Sequence, residues 1–235
     1  MENTEHLKTN PAESAALPPK IFKRYFEQNQ EYRNQVWQVL CHDFFQQFIA
    51  QNDAVLDLGC GYGHFINNIA SKAKYGMDLN PEGGSLLHPE VKFIPQDCTK
   101  RWPFENAQLD AVFTSNFFEH LSDKNALKLT LQEAFRCLKP GGHLIALGPN
   151  IKYLPGEYWD FSDHSLPLTE LSLAEVLEAI GFGIEQCVAK FLPYTMVNKR
   201  ETPLFLVRAY LRTPLLWRWY GRQFLVVARK LAGRS

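Results

Sequence analysis

Nine residues constrain this chain more than any others: Val55-Leu56-Asp57-Leu58-Gly59-Cys60-Gly61-Tyr62-Gly63. A short apolar run ends in three glycines at alternate positions. An apolar run of this length suits a strand buried on both faces, as in a parallel sheet. Glycines let the backbone turn sharply and let a ligand approach where a Cβ would otherwise stand. The next segment, His64–Lys72, reads as a helix, whose first turn adds N–H donors and a positive dipole. Strand, glycine turn and helix in that order make a nucleotide-binding loop. The spacing is GxGxG, whereas dinucleotide enzymes use GxGxxG. Asp57 stands just ahead of the glycines. A carboxylate there repels a pyrophosphate and suits the ammonium of an amino-acid-bearing cofactor, directly or through water.

The rest of the chain repeats the strand-then-helix alternation. Lys74–Asp78, Val91–Pro95, Leu109–Ser115 and His143–Leu147 read as further strands. Lys124–Leu138 reads as a helix stopped by Lys139-Pro140-Gly141-Gly142, and Leu171–Ile180 as a helix with Ser172 as N-cap and Gly181 as its stop. Ile184–Phe191 and Gln223–Arg229 complete the strands and are expected to pair antiparallel. This alternation predicts an α/β, Rossmann-like, doubly wound sheet. Residues 1–20 are polar and Pro-bearing and are expected to be a mobile tail. Residues 21–50 carry Phe22, Tyr25, Phe26, Val36, Trp37, Leu40, Phe44 and Phe48 at helical spacing, which predicts a helical N-terminal extension to the 51–235 domain.

Two more acids stand at strand ends. Asp78, in Gly76-Met77-Asp78-Leu79, closes the second strand, where a carboxylate can accept both ribose hydroxyls. Asp97 follows the third, within reach of an adenine amino group. Three acids at three successive strand ends fall on the ligand side of an open α/β sheet.

With these features in place, the chain resembles the class I S-adenosylmethionine-dependent methyltransferases, in their small-molecule branch. Val55–Phe65, Gly76–Asn80, Pro95–Thr99, Leu109–Leu121 and Leu138–Leu147 carry the likeness, which covers roughly residues 50–190. The resemblance implies a seven-stranded sheet with an antiparallel last strand and S-adenosyl-L-methionine as cofactor. It also implies that Asp57, Gly59, Cys60, Gly61 and Gly63 cradle the methionine part and that Asp78 and Leu79 meet the ribose. Asp97 and Cys98 would border the adenine, and Ser115 and Asn116 would lie beside the methionine. More loosely, Trp159-Asp160-Phe161 and Asp163-His164 resemble methyltransferases of bacterial glycan and secondary-metabolite pathways.

Methyl transfer is an in-line displacement, and much of its catalysis comes from alignment. A base is needed only when the acceptor must lose a proton. Acceptor groups should come from the loops after the fourth and fifth strands. The second of these, from Pro149 to His164, is long and aromatic, as functional loops often are. Tyr153, Tyr158 and Trp159 either stack on an acceptor or form a lid. His164 is the first candidate for a general base, with Asp163 or Asp160 to orient it; otherwise it stabilises the loop. His120 is the second candidate, or else it bonds the sheet-edge backbone.

Charge is balanced at 25 basic and 25 acidic residues, but not evenly spread. From Thr195 onward there are nine basic residues and a single acid, Glu201. The 202–221 segment adds Trp217, Trp219 and Tyr220 to Arg208, Arg212, Arg218 and Arg222. Aromatic rings beside arginines suit a membrane interface or a lipid phosphate; the alternative is a cap packed over the sheet. The expected acceptor is a small molecule, a glycan or a lipid-linked compound, methylated at oxygen. RNA or protein methylation and non-enzymatic cofactor binding are the alternatives, and no DNA partner is expected. The five cysteines show no CxxC pair and no cluster at zinc spacing, so free thiols in a cytoplasmic setting and no metal site are expected. No apolar run reaches the ~18–20 residues of a membrane span.

Overall fold

The computed structural model describes residues 30–194 and 201–232. The expected 1–20 tail, and Phe22, Tyr25 and Phe26 of the expected N-terminal helix, lie outside these residues. Seven strands form one sheet: β1 (Ala54–Leu58), β2 (Ala73–Asp78), β3 (Val91–Pro95), β4 (Leu109–Ser115), β5 (Leu138–Pro149), β6 (Phe182–Val188) and β7 (Gln223–Lys230). Their spatial order is β3-β2-β1-β4-β5-β7-β6. β1 pairs in parallel with both β2 and β4, so the order reverses beside it. That reversal opens a crevice at the carboxyl ends of β1 and β4, the place where open α/β sheets take ligands. β7 runs antiparallel to both β5 and β6, as expected for the last strand.

Both sheet faces are covered, which is why β1 is apolar at every position but Asp57. On one face, α2 (Lys124–Cys137) and α3 (Glu170–Ile180) bring Leu127, Leu131, Leu173 and Leu177 onto Leu56, Leu58, Val112, Leu144 and Val226. On the other, α1 (Gln30–Asp43) and the 3-10 turn Phe45–Phe48 bring Val39, Leu40 and Phe45 onto Val55, Phe113, Ile145 and Val227. Aromatic rings hold this second layer together. Phe65 stacks on Phe113 at 3.6 Å between centroids, and Trp37 and Phe45 meet Phe113 edge-on at 6.0 and 5.1 Å.

Helix ends follow their chemistry, with one correction. Asp123 caps α2 by accepting the Ala126 N–H at 2.8 Å. The N-cap of α3 is Thr169, not the expected Ser172. Ser172 instead completes a capping box: its N–H donates to Thr169 Oγ1 at 3.1 Å, and its hydroxyl accepts from Thr169 N–H at 2.9 Å. Gly181 ends the helix at φ +118°, in the left-handed region that glycine favours.

Three other expectations change. No helix forms over 64–72; the segment is a set of turns. Asn67 and Asn68 supply the reason, because their amides serve distant backbone and side-chain partners. Asn67 donates to Leu86 O at 3.1 Å and accepts from His88 N–H at 2.9 Å, and Asn68 donates to Asn34 Oδ1 at 2.7 Å. The Lys139-Pro140-Gly141-Gly142 breaker does not precede β5 but lies within it. Pairing jumps from Leu109–Leu138 to Ala111–His143, so these residues form a bulge that Gly141, at φ +85°, makes possible. β6 begins at Phe182 and ends at Val188, leaving Phe191 in the loop beyond.

The 202–221 segment is a helical pair, α4 (Leu204–Leu211) and α5 (Pro214–Tyr220), packed on the α1 face. Tyr210 Oη donates to Phe191 O at 2.6 Å, Trp217 Nε1 donates to Tyr210 O at 2.9 Å, and Arg208 reaches Asp43 at 3.3 Å. Among the described residues no helix is long and apolar enough to cross a membrane. Phe113 is fully buried at the centre of the aromatic layer. Phe113→Ala is expected to lower unfolding free energy by about 3–5 kcal/mol, seen as a lower urea midpoint at unchanged slope.

Candidate functional site

The glycine loop is built by close approach. Gly59, Gly61 and Gly63 have φ of +70°, +46° and +71°. A Cβ on Gly59 would stand 2.3 Å from the Phe117 ring, and one on Gly63 would stand 2.3 Å from Leu87. Gly61 differs, because among the described residues nothing beyond its two chain neighbours lies within 4 Å of where its Cβ would be. The first and third glycines therefore let the loop sit tightly on its neighbours, and the middle one faces open space.

Asp78 holds the loop in this shape. Its Oδ2 accepts the Gly61 N–H at 2.9 Å, and its Oδ1 accepts the Asn80 N–H at 2.9 Å. Leu79 beside it is 71% exposed, an apolar side chain left open next to a carboxylate. Asp57 behaves otherwise. It is only 3% exposed, beneath the loop, and burial pushes its carboxyl up to about 8, against a backbone hydrogen bond from Ile66. Burial likewise pushes the Cys60 thiol up, with the Asp57 and Asp78 charges adding to the effect, so Cys60 stays a protonated loop residue.

Asp97 closes an Asx-type turn, accepting from both the N–H and the hydroxyl of Thr99 at 2.8 Å. The Cys98 thiol is buried and accepts from Thr130 Oγ1 at 3.3 Å, while its carbonyl accepts from Trp102 Nε1 at 2.8 Å. Cys98 therefore points into the core. At the end of β4, Asn116 takes a left-handed φ of +49°, a conformation asparagine tolerates. Its N–H donates to Leu147 O at 2.9 Å, and its amide donates to Ser115 Oγ at 3.0 Å.

The fold brings the long 149–164 loop back onto the β4 loop. The Glu119 carbonyl accepts the N–H groups of Ser165 at 2.8 Å and Leu166 at 3.0 Å. At its other end Asn150 donates to Glu170 at 2.6 Å, and Lys152 pairs with the same carboxylate at 2.8 Å. The result is a cluster of Glu119, His120, Asp163 and His164. Here the expected pairing is corrected, since Asp163 serves His120, at 3.1 Å from its Nδ1. His164 Nδ1 instead donates to the Tyr158 carbonyl at 2.9 Å, and Asp160 does not reach it. The two imidazoles lie 5.0 Å apart between centroids. Burial and the nearby His120 charge lower the His164 pKa. Burial also works against charge on His120, but the Asp163 hydrogen bond and the Glu119 and Asp163 charges together raise it.

The loop aromatics separate in role. Tyr158 is fully buried, and its hydroxyl has no hydrogen-bond partner among the described residues; the same holds for Asp163 Oδ1. Trp159 is exposed, and Tyr153 lies beneath Lys190, whose Nζ is 5.1 Å from the ring centroid. From the sequence, Glu119 has a place only as a member of the loop after β4, and Tyr194 has none. Glu119 is 3% exposed, and burial pushes its carboxyl up to about 7. Tyr194 packs edge-on to Phe161 and lines a shallow cleft with Tyr210, Trp219, Tyr220 and Arg222. Glu119 could have been noticed as an acid inside an apolar run; nothing in the sequence marks Tyr194.

Residues 56–146 match the family model described as a methyltransferase domain. A Mycolicibacterium smegmatis protein provisionally named an S-adenosylmethionine-dependent methyltransferase is 29% identical over 159 residues, 64% of this chain. The chain spans 61% of that relative's length, and 50% and 39% of two further curated relatives. A solved S-adenosylmethionine-dependent methyltransferase from Archaeoglobus fulgidus superposes with a TM-score of 0.64 at 20% identity, covering 90% of this chain and 99% of the other. The [4+2]-cyclase SpnF also superposes, with a TM-score of 0.59 at 19% identity over 89% of this chain and 86% of its own. Likeness at that level speaks for the fold alone. Residues 56–146 thus match a methyltransferase domain, and the sheet order is that of the fold these solved structures share.

Proposed function

We propose that the chain transfers a methyl group from S-adenosyl-L-methionine to an oxygen of a small-molecule, glycan or lipid-linked acceptor. The observation that carries this reading is the space that the described residues leave at Gly61, with the Asp78 carboxylate fixed at its edge. The residues present fit the cofactor. The Gly59–Gly63 loop leaves room for the methionine part, Asp78 and exposed Leu79 suit the ribose, and the Asp97–Cys98 backbone borders the adenine. Ser115 and Asn116 lie across the crevice. When bound, the cofactor supplies an electrophilic methyl group on a sulfonium.

What the chain itself supplies is placement. The two loops over the crevice are locked to each other through the Glu119 carbonyl, so an acceptor between them meets fixed groups. Its oxygen would meet His120 and His164, with Asp163 holding the first ring and the Tyr158 carbonyl the second. Tyr153 and Trp159, at the rim, are the surfaces on which a ring could stack. Isothermal titration with S-adenosylhomocysteine tests the cofactor half. Asp78→Ala is expected to weaken binding by about tenfold or more, the scale of losing a hydrogen bond to a charged group. Undiminished binding would contradict the assignment. For the acceptor half, labelled S-adenosylmethionine incubated with fractionated cell extract should place label in glycan, lipid or small metabolites. Label confined to RNA or protein would overturn the acceptor class.

The α4–α5 pair supports a lipid-linked acceptor. Phe205 is 68%, Leu215 69% and Trp219 80% exposed, and Arg212 and Arg218 are exposed among them. Apolar and aromatic side chains with cations and no acid between 202 and 222 suit an anionic lipid surface. The cleft lined by Trp219, Tyr220 and Arg222 runs to Tyr194, beside the loop aromatics. Wild-type protein is expected to float with vesicles containing phosphatidylserine, and Trp219→Ala with Arg218→Glu to remain at the bottom of the gradient. No flotation of the wild type sinks the membrane reading and leaves a freely diffusing acceptor.

A further inference from the structure

Glu119, His120 and His164 come from two loops that are far apart in sequence, so no ligand spacing in the sequence could reveal them as a set. In the fold, one ligand atom from each lies within 4.8 Å of the others. The surroundings of the two rings point the same way. A backbone carbonyl can only accept, so His164 must donate Nδ1–H to Tyr158 O, at 2.9 Å, which leaves a lone pair on Nε2 when the ring is neutral. His120 Nδ1 faces the Asp163 carboxylate at 3.1 Å, which leaves its Nε2 in the same state. Histidines that bind metals are held in this manner: the outer nitrogen is tied to a carboxylate or a carbonyl, which fixes tautomer and ring angle. The third member, Glu119, is a nearly fully buried carboxylate beside the two rings. A carboxylate in such a place is costly without a cation close by.

We propose that Glu119, His120 and His164 bind a divalent first-row transition ion, with Asp163 and the Tyr158 carbonyl as the groups that orient the two histidines. Two nitrogens and one carboxylate oxygen suit Zn²⁺, Mn²⁺, Fe²⁺ or Co²⁺ better than the all-oxygen cages of Ca²⁺ and Mg²⁺. Ligand atoms around an ion at ~2.1 Å stand roughly 3–3.5 Å apart, so closure from the present spacing needs side-chain rotation and no refolding. Three protein ligands leave a position open, as catalytic metal sites do. Two buried polar atoms without partners among the described residues, Asp163 Oδ1 and Tyr158 Oη, belong to residues that hold the histidines. The role of the ion rests on the methyltransferase reading: an acceptor hydroxyl would occupy the open position, fixing the oxygen that is to be methylated and lowering its pKa. Ion binding itself does not depend on that reading.

The test uses the full chain, stripped with a chelator and dialysed. Titration with Zn²⁺ and with Mn²⁺ is expected to show close to one equivalent bound per chain, and Co²⁺ is expected to give the visible absorption of a site with nitrogen ligands. His164→Gln and Glu119→Gln should lose the stoichiometric equivalent. Asp163→Asn, which leaves all three ligands in place, should weaken ion binding by about 10–100-fold. S-adenosylhomocysteine binding, measured on the same samples, separates the two readings. A wild type that binds S-adenosylhomocysteine but none of the three ions overturns the metal site and leaves the methyltransferase reading standing. One that binds an ion but no S-adenosylhomocysteine does the reverse. Undiminished ion binding by His164→Gln also overturns the site. Should that variant fail to fold by circular dichroism, unchanged ion affinity in Asp163→Asn overturns it instead.

Discussion

The close packing of the Phe117 ring against Gly59 is the constraint on which the rest of the site depends. β1 is the strand from which the sheet is built outward in both directions, and its one polar side chain, Asp57, is buried beneath the loop that follows. The chain must leave this strand sharply, at a left-handed φ, and the end of β4 must come right up to it. Only a residue without a Cβ lets both happen at once. Once the β1 and β4 loops touch, Asp78 from β2 can reach across to the Gly61 amide, and Asn116 can turn through its own left-handed conformation to bond Leu147. Three strand ends then share one crevice. The same contact carries Glu119 and His120, a few residues further along, to the edge of that crevice.

Much of the fold was legible because its signals are local. β1, β3 and β4 end where their apolar runs end, and Gly181 stops α3 for the steric reason that glycine usually does. Misread segments were those decided by distant partners. The apolar residues of 64–72 could fit a helix, but Asn67 and Asn68 spend their amides on residues 34, 86 and 88, which no window around them contains. The Pro-Gly-Gly run reads as a stop, yet it becomes a bulge because β4 pairs on both sides of it. Ser172 looked like a cap because it is a serine at a helix start; Thr169, three residues earlier, takes the cap and uses Ser172 to complete it.

The site divides along the same line. Glycines and strand-end acids could be found because each sits at the end of a strand that the sequence marks. Their environments could not be. Asp57 looks like an open carboxylate and is instead almost wholly covered, with a carboxyl that burial holds far above the normal range. The histidine cluster is the clearest case. Asp163 is adjacent to His164 in the chain, but neighbouring residues in a turn point apart. The aspartate reaches His120 instead, and the backbone of Tyr158 takes its place on His164.

The 149–164 loop is tied at both ends and pinned between them by buried Leu154 and Tyr158 and by the Glu157–Arg222 pair. Near its start, Asn150 and Lys152 are bound to Glu170 of α3; at its finish, Ser165 and Leu166 are bound to the Glu119 carbonyl. Both ties rest on elements that the sheet already fixes. Tyr153 and Trp159 stand at the exposed rim, whereas Tyr158, whose carbonyl orients His164, is buried beneath them. On the proposed reading, a chain built in this way separates what it recognises from how it reacts: changes at the exposed rim of the loop alter the acceptor, and the histidines beneath keep the ties that orient them.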